Sequence, residues 1–296
     1  MFVKRVSSDT LVIGAPAKVN LFLHVLGKRP DGYHDIESLF QAVSLFDRLT
    51  FTRLVGQPET LIEVSGAGDL PSDQTNLVTR SYDEMHRRFG LRDGLSVKLE
   101  KNIPIAAGLG GGSSDGAATI MACRLLFDLK LSAAEMATIS LSIGSDLPFF
   151  FSHGSALVEG RGEVVADVEL PTDYWLVLVT PNLAISTAES YARLRLPLTK
   201  SRHPFYLPRW TTLEELLSLL KGTSNDFEEV HLRSFPELGR IKDGLLDNGA
   251  LLARLSGSGP TFYGLYGEAP EIEDGRVFDR DDWRVSLVRP VVLSSE

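Results

Sequence analysis

Only one cysteine, Cys123, occurs in the 296 residues. No disulfide can therefore form within the chain, and a lone thiol on the apolar side of a helical pattern reads as buried and structural rather than nucleophilic. The sequence has no run of 18 apolar residues, and Met1 to Thr10 lacks the long apolar core of a signal peptide. Neither a spanning helix nor secretion is expected, and with the single thiol this points to a cytoplasmic location. Basic excess is missing too: the formal charge is −9, with no lysine and arginine cluster and no basic amphipathic stretch. Nucleic acid and membrane surfaces are excluded as partners on that ground, which leaves a small molecule. An anionic ligand would then need a locally positive site. Internal repeats and low-complexity segments are absent, and either a monomer or a homodimer is compatible with what remains. Hydrophobic content of 43% and charged content of 23% are ordinary for a globular chain, and the length suits one large or two medium domains.

What the chain has is glycine, concentrated in one place. Pro104-Ile105-Ala106-Ala107-Gly108-Leu109-Gly110-Gly111-Gly112-Ser113-Ser114-Asp115 carries four glycines within five residues, which permits positive φ and lets a ligand approach the backbone N–H groups. The residues behind it predict a helix over Gly116 to Leu129, with Ser113 or Ser114 as N-cap, Asp115 in the first turn, and Ala118, Ala122, Leu125 and Leu129 on one face. A helix N-terminus opening into such a loop makes a phosphate site. No lysine follows Gly112, which rejects a Walker loop, and the glycine spacing rejects a dinucleotide fingerprint. A plain linker or tight turn is the bland alternative. Ile103 and Ile105 on one side and a capped apolar helix on the other argue against it.

Taken in order, Leu11 to Leu26 reads as a strand in which Val19, Leu21, Leu23 and Val25 alternate with Asn20, Phe22, His24 and Leu26. Lys18 and Asn20 then share a face, although this segment alone makes Lys18 an exposed strand-edge lysine. The turn Gly27 to His34 delivers Tyr33 and His34 side by side, able to stack on a flat ring and to hydrogen-bond it, or equally a surface pair. Further strands are predicted at Ile36 to Leu45, Leu49 to Thr52, Leu61 to Ser65 and Leu95 to Leu99, with a helix over Leu77 to Phe89 capped by Asn76. A Ser-Ala-Ala-Glu capping box opens a short helix over Ser132 to Leu141. Asp146 is the one carboxylate between Met136 and Gly154, so it is either a cap before Pro148 or a functional acid. Beyond a break near Leu170 to Asp173, a strand over Tyr174 to Val179 suggests a second domain. Helices over Leu213 to Leu220 and Leu238 to Leu246, a short acidic turn over Asn225 to Val230, and a strand through Trp283, Val285 and Leu287 follow. Ser256-Gly257-Ser258-Gly259-Pro260 is a second small-residue loop, between Ala250 to Leu255 and Thr261 to Leu265, able to approach a ligand or the first glycine loop. The result is an α+β chain of two lobes, 1–170 and 171–296.

Together these segments resemble the GHMP kinase superfamily of small-molecule kinases. Pro16-Ala17-Lys18-Val19-Asn20-Leu21, Pro104 to Ser114, and Leu255-Ser256-Gly257-Ser258-Gly259 carry the resemblance in that order. Pro30-Asp31-Gly32-Tyr33-His34, Gly108 to Ser114, Gly144 to Phe150, and Asn225-Asp226 are similar to the branch that phosphorylates 4-diphosphocytidyl-2-C-methyl-D-erythritol in the non-mevalonate isoprenoid pathway. The resemblance implies a ribosomal protein S5 domain 2-like N-terminal lobe and a ferredoxin-like C-terminal lobe. It implies transfer of the ATP γ-phosphate with Asp146 as base and Lys18 as its partner, the loop from Pro104 through Ile105, Ala106, Ala107, Gly108, Leu109, Gly110, Gly111, Gly112 and Ser113 to Ser114 on the phosphates, and Asn76 and Lys101 near the adenosine. Tyr33 and His34 are implied on the cytosine with Tyr191 over its other face, Thr187 nearby, and Asn20 beside the sugar alcohol. Mg²⁺ accompanies ATP in such sites. The glutamate that binds it in several superfamily members has no match here, so the metal ligands are left unknown, with Ser113 or Ser114 as candidates. Competing readings are a GHMP kinase for a sugar, homoserine or mevalonate-type alcohol, which would not need Tyr33 and His34, a non-catalytic sensor, and an unrelated phosphate-binding module.

Overall fold

The computed structural model describes residues 1–57, 59–66, 75–194, 209–271 and 282–293. A short strand, β1 (Phe2–Arg5), precedes two long ones, β2 (Thr10–Lys28) and β3 (His34–Leu54), which pair antiparallel as a hairpin. β4 (Thr60–Ser65), α1 (Leu77–Phe89) and β5 (Gly94–Glu100) follow, with β4 and β5 parallel. Next come α2 (Gly111–Leu126), α3 (Ala133–Ser140), a 3₁₀ turn over Leu147–Phe151, β6 (Ser155–Gly160) and β7 (Val164–Asp167). These strands form one sheet in the order β1-β2-β3-β5-β4, with β6 on β3 and β7 on β6. A second sheet is built from β8 (Trp175–Thr180), β9 (Leu252–Leu255), β10 (Phe262–Tyr266) and β11 (Arg284–Val288), with α4 (Thr187–Arg193), α5 (Leu213–Lys221), α6 (Glu228–Ser234) and α7 (Pro236–Asp247) between β8 and β9. Its order is β11-β8-β10-β9 and all its pairings are antiparallel. Counted along the chain, that is last, first, third, second, the order of a ferredoxin-like sheet. No helix among the described residues is long and apolar enough to cross a membrane.

Strand β2 differs from the alternating pattern expected of it. Every residue from Ala15 to Val25 is buried, because the strand is covered on both faces, and two-sided burial reads as a continuous apolar run. Leu11, Ile13 and Ala15 belong to a core under α1, α2 and β5. Ala17, Val19, Leu21 and Phe22 belong to a second core with Tyr174, Leu216 and Tyr263, and Leu23 and Val25 to a third with Phe227, Leu238 and Phe262. A register shift between Asn20 and Phe22 turns Leu21 and Phe22 into the same core, as a bulge does. The outer half of β2 is then sewn to the second half of the chain: Leu23 N donates to Ser224 O (3.0 Å), Asp226 N to Leu23 O (2.9 Å), and Arg254 Nη1 and Tyr263 Oη to Leu21 O (2.7 and 2.9 Å).

Local signals placed the helices well where caps were written in side chains. α1 spans the predicted residues with the Asn76 side chain accepting from Val78 N, and α3 is closed by the reciprocal Ser132 and Glu135 bonds. α2 departs from expectation. It begins at Gly111 rather than just after Ser113 or Ser114 and ends at Leu126, so Leu129 lies outside it, and its N-cap is Gly110 (φ 68°) with no side-chain bond. The reason is space. A Cβ on Gly110 would lie 2.9 Å from Lys18 Cγ, and one on Gly111 2.9 Å from Ile103 Cγ2, so only glycine lets the helix start this close to its neighbours. Three further differences concern segments without strong periodicity. β1, β6, β7 and α4 have no counterpart in the sequence pattern, the expected acidic turn at Asn225 to Val230 leads directly into α6, and in β11 it is Val288 that is buried while Leu287 is 41% exposed.

Candidate active site

A cleft of about 1020 Å³ runs from the glycine loop to the tip of the β2–β3 hairpin. It is lined by Lys18, Asn20, Tyr33, His34, Asn76, Lys101, Pro104 to Gly108, Gly110 to Ser113, Asp146, Thr187 and Tyr191. Leu109 and Ser114 of the same loop are turned elsewhere: Leu109 packs into the second core and Ser114 is fully buried. The loop is fixed from two sides. Lys18 N donates to Leu109 O (2.9 Å), and Ser256 Oγ, from the second small-residue loop, donates to Gly108 O (2.9 Å). Gly108 has φ 76°, and a Cβ there would lie 2.1 Å from Ser256 O. The two loops can touch this closely only because Gly108 has no side chain to meet Ser256 O.

Against the glycine loop, Lys18 is buried at 3% exposure rather than standing at a strand edge. Its Nζ donates to Asn20 Oδ1 (2.6 Å), lies 3.4 Å from Asp146 Oδ2, and sits 4.6 Å from the centre of the Phe40 ring. The Asn20 amide is oriented by its surroundings. Ser38 Oγ spends its proton on Phe22 O, so it can only accept, and Asn20 Nδ2 donates to it at 2.9 Å, which leaves Oδ1 for the ammonium. Asp146 precedes the 3₁₀ turn but makes no side-chain cap. Of the two readings of that acid, the cap is therefore overturned. Its side chain keeps 33% exposure, so one carboxylate oxygen reaches the lysine while the group still faces the cleft.

Lys101 has a different environment. Its Nζ bonds both Asp47 Oδ2 and Asp115 Oδ2, the latter at 2.8 Å, and all three side chains are at most 4% exposed. Burial pulls the ammonium down, but the carboxylates of Asp115 and Asp47 outweigh it and hold its pKa above the ordinary lysine value. Burial likewise pushes the Asp115 carboxyl up, against the pull of Lys101, with Asp47 adding to the rise. Asp115 is thus no solvated first-turn acid but part of a buried triad beneath the loop. Asn76 lines the same end while its side chain caps α1.

At the hairpin end the aromatic groups pair in an unexpected way. Tyr33 and Tyr191 were implied on opposite faces of one ring, but Tyr191 is stacked on His34, centroids 4.4 Å apart and planes at 19°. It is also set edge-on to Phe227 at 4.9 Å, because these contacts bury a ring that α4 projects into the third core. Burial first, then the nearby Asp146, pushes the Tyr191 phenol up to about 12. Burial and then Lys28 lower the His34 pKa, so at neutral pH the imidazole offers one donor and one acceptor. Tyr33 is 52% exposed, with the Arg161 guanidinium 5.0 Å from its ring centre. Thr187 Oγ1 is hydrogen-bonded to Ser258 Oγ at 2.9 Å, tying α4 to the second glycine loop. Nothing in the sequence signals Arg161, Asp47 or Ser38 as site residues. Each sits in a strand or turn with no local motif, and only the sheet pairing brings it to the site.

Comparison with known proteins gives this cleft a family. The model of the GHMP kinases N-terminal domain matches residues 76–154, and that of the GHMP kinases C-terminal domain residues 202–276. The 4-diphosphocytidyl-2-C-methyl-D-erythritol kinase of Syntrophotalea carbinolica is 40% identical over 280 residues, covering 94% of this chain and 98% of the relative. That of Bacillus velezensis is 41% identical over 254 residues, covering 85% and 86%. A crystal structure of 4-(cytidine 5'-diphospho)-2C-methyl-D-erythritol kinase superposes with a TM-score of 0.73 at 30% identity, over 95% of this chain and 99% of that one. Homoserine kinase from Cytophaga hutchinsonii, at 18% identity and a TM-score of 0.73, shares the fold. An α+β chain of two sheets, with a glycine loop at a helix N-terminus and a lysine–aspartate pair beside it, thus belongs to the GHMP kinases, small-molecule phosphotransferases, and within them to the 4-diphosphocytidyl-2-C-methyl-D-erythritol kinase family.

Proposed function

We propose that this kinase transfers the γ-phosphoryl group of ATP to the 2-hydroxyl of 4-diphosphocytidyl-2-C-methyl-D-erythritol, giving the 2-phosphate and ADP. The observation that carries the reading is the Lys18–Asp146 pair, 3.4 Å apart, with Lys18 against the glycine loop and both residues in the cleft that Tyr33 and His34 also line. The backbone N–H groups of the loop that follows Pro104, from Ile105 to Ser113, and the N-terminus of α2 hold the triphosphate, with Asn76 toward the nucleoside. In that loop Leu109 and Ser114 act from behind, by packing. The substrate hydroxyl attacks phosphorus as the bond to the bridging oxygen of ADP breaks. Its proton passes to the Asp146 carboxylate late in a loose transition state, where a weak base suffices. Lys18 offers charge to the equatorial oxygens, and Asn20 fixes that ammonium and the sugar alcohol beside it.

At the other end His34 bonds the cytosine edge, Tyr33 and Tyr191 give it aromatic surface, and Thr187 holds α4 against the second glycine loop. Residues 1–170 and 171–296 act as two lobes around this cleft. The donor set fits Mg²⁺ brought in with ATP. Among the described residues no cluster of three metal-ligating side chains exists, but magnesium at such sites takes most of its ligands from phosphates and water, and the Ser113 hydroxyl and the Asp146 carboxylate line the cleft. Bound there, it would neutralise charge on the β- and γ-phosphates.

A coupled ADP-release assay with Mg-ATP, comparing the cytidylyl substrate with galactose, homoserine and mevalonate, tests the reading. Turnover confined to the cytidylyl compound is expected. Turnover on another alcohol would overturn the substrate, and silence on all four with ATP still bound would overturn the catalytic assignment.

A further inference from the structure

Buried beneath the glycine loop, the Asp47–Lys101–Asp115 triad joins three separate segments: Asp47 lies in β3, Lys101 just beyond β5, and Asp115 in the first turns of α2. Asp47 does more than pair with the lysine. Its Oδ1 accepts from Asn102 N (2.6 Å) and Ile103 N (2.8 Å), the last two residues before Pro104. The loop's entry is therefore bonded directly to β3 through Asp47, and its exit is bonded to the same point through Asp115 and Lys101. Lys101 N also donates to Ser65 O (2.8 Å), fixing its backbone to the end of β4. Its Nζ lies 3.2 Å from where a Cβ on Gly111 would stand, so the ammonium sits under the first residue of α2.

The bonds to Asp47 and Asp115 engage this ammonium away from any phosphate, although its residue lines the cleft. We propose that Asp47 and Asp115 are positioning residues for nucleotide binding, acting through Lys101 as a clamp that holds both ends of the glycine loop at one separation. The proposal rests on the reading of the cleft as an ATP site. Its physical content is preorganisation: a glycine-rich loop has many conformations to lose, and a loop whose ends are pinned loses fewer of them when the phosphates bind. The chemistry at Asp146 and the cytidine end do not touch the triad, so the clamp acts on ATP affinity.

The test uses the full chain and two variants, Asp47→Asn and Asp115→Ala. Each leaves a one-to-one pair with Lys101, so neither strands a buried charge. ATP and a non-hydrolysable ATP analogue are titrated, KM and kcat are measured for both substrates, and amide exchange is followed in the ligand-free protein. The clamp predicts ATP binding weaker by about tenfold in Asp47→Asn, with KM for the cytidylyl substrate unchanged and kcat at saturating ATP within about threefold. It also predicts faster exchange over residues 103–112 and unchanged exchange in α3 and the second sheet. Asp115→Ala moves the same readouts in the same direction, and decides alone if Asp47→Asn does not fold. Wild-type ATP binding with unchanged affinity and loop exchange in the variants overturns the clamp. So does weaker ATP binding in Lys101→Met that neither carboxylate variant reproduces, because Lys101 would then contact the nucleotide directly. Wild-type protein that binds no ATP overturns the functional reading, and the proposal with it.

Discussion

Two buried lysines face the same cleft from adjacent walls, and their surroundings differ in one respect. Lys18 has an amide oxygen at 2.6 Å and a single, partly exposed carboxylate at 3.4 Å. Lys101 has two buried carboxylates in direct contact. Burial of an ammonium is costly in both places and each is compensated. At Lys101, however, two buried acidic side chains engage the ammonium, whereas at Lys18 one partly exposed carboxylate leaves it directed at the cleft. Counter-charge, rather than burial, separates the lysine that can act on a phosphoryl group from the one that holds the architecture.

The widest test of that contrast removes the partner of Lys18. Asp146→Asn keeps the shape and removes the base, and turnover should fall by about a thousandfold while ATP binding stays within a few-fold, as read by coupled ADP release and nucleotide titration. Retained turnover would take Asp146 out of the base role. Next in size, Lys18→Met should lower kcat by about a hundredfold at saturating ATP. Lys101→Met should instead appear first in the ATP affinity, and equal kcat losses in the two variants would erase the distinction drawn here.

The hairpin end gives a smaller effect. Tyr33→Ala or His34→Ala should raise KM for the cytidylyl substrate about tenfold, since one stacking or hydrogen-bonding contact is worth roughly 1–2 kcal/mol, with KM for ATP unchanged. Equal changes for both substrates would count against a cytosine pocket. The smallest effect lies away from the cleft. Glu135→Ala removes half of the α3 capping box and should cost about 1 kcal/mol of stability in a denaturant titration with turnover intact.

Which of these features the sequence displays follows from how far apart their parts are. The α1 cap is an Asn76 side chain reaching two residues along, and the α3 box spans three; both are legible because the bonding partners are neighbours. The glycine loop is legible for the same reason, as is the hairpin that carries Tyr33 and His34. The start of α2 is not legible locally because a serine is the better local cap, and glycine is required there by a positive φ and by Lys18, 92 residues upstream of Gly110. The bond from Lys101 to Asp47 crosses 54 residues, and nothing around Asp47 signals it. The stacking of Tyr191 on His34 joins two elements whose periodicities say nothing of each other. Burial of β2 on both faces could be suspected from Leu21-Phe22-Leu23, where an apolar residue stands at each consecutive position, yet which half of the chain covers each face is a matter of topology.

That topology sets an order of events during synthesis. The outer half of β2 emerges early, but Leu21, Leu23 and Val25 are covered by groups from Tyr174 to Tyr263. Arg254 Nη1 and Tyr263 Oη reach Leu21 O across 233 and 242 residues. At ordinary elongation rates, an apolar strand would wait on the order of tens of seconds for its cover. The segment that supplies Lys18 and Asn20 is therefore also one that stays uncovered, open to misassociation, while the chain is still being made.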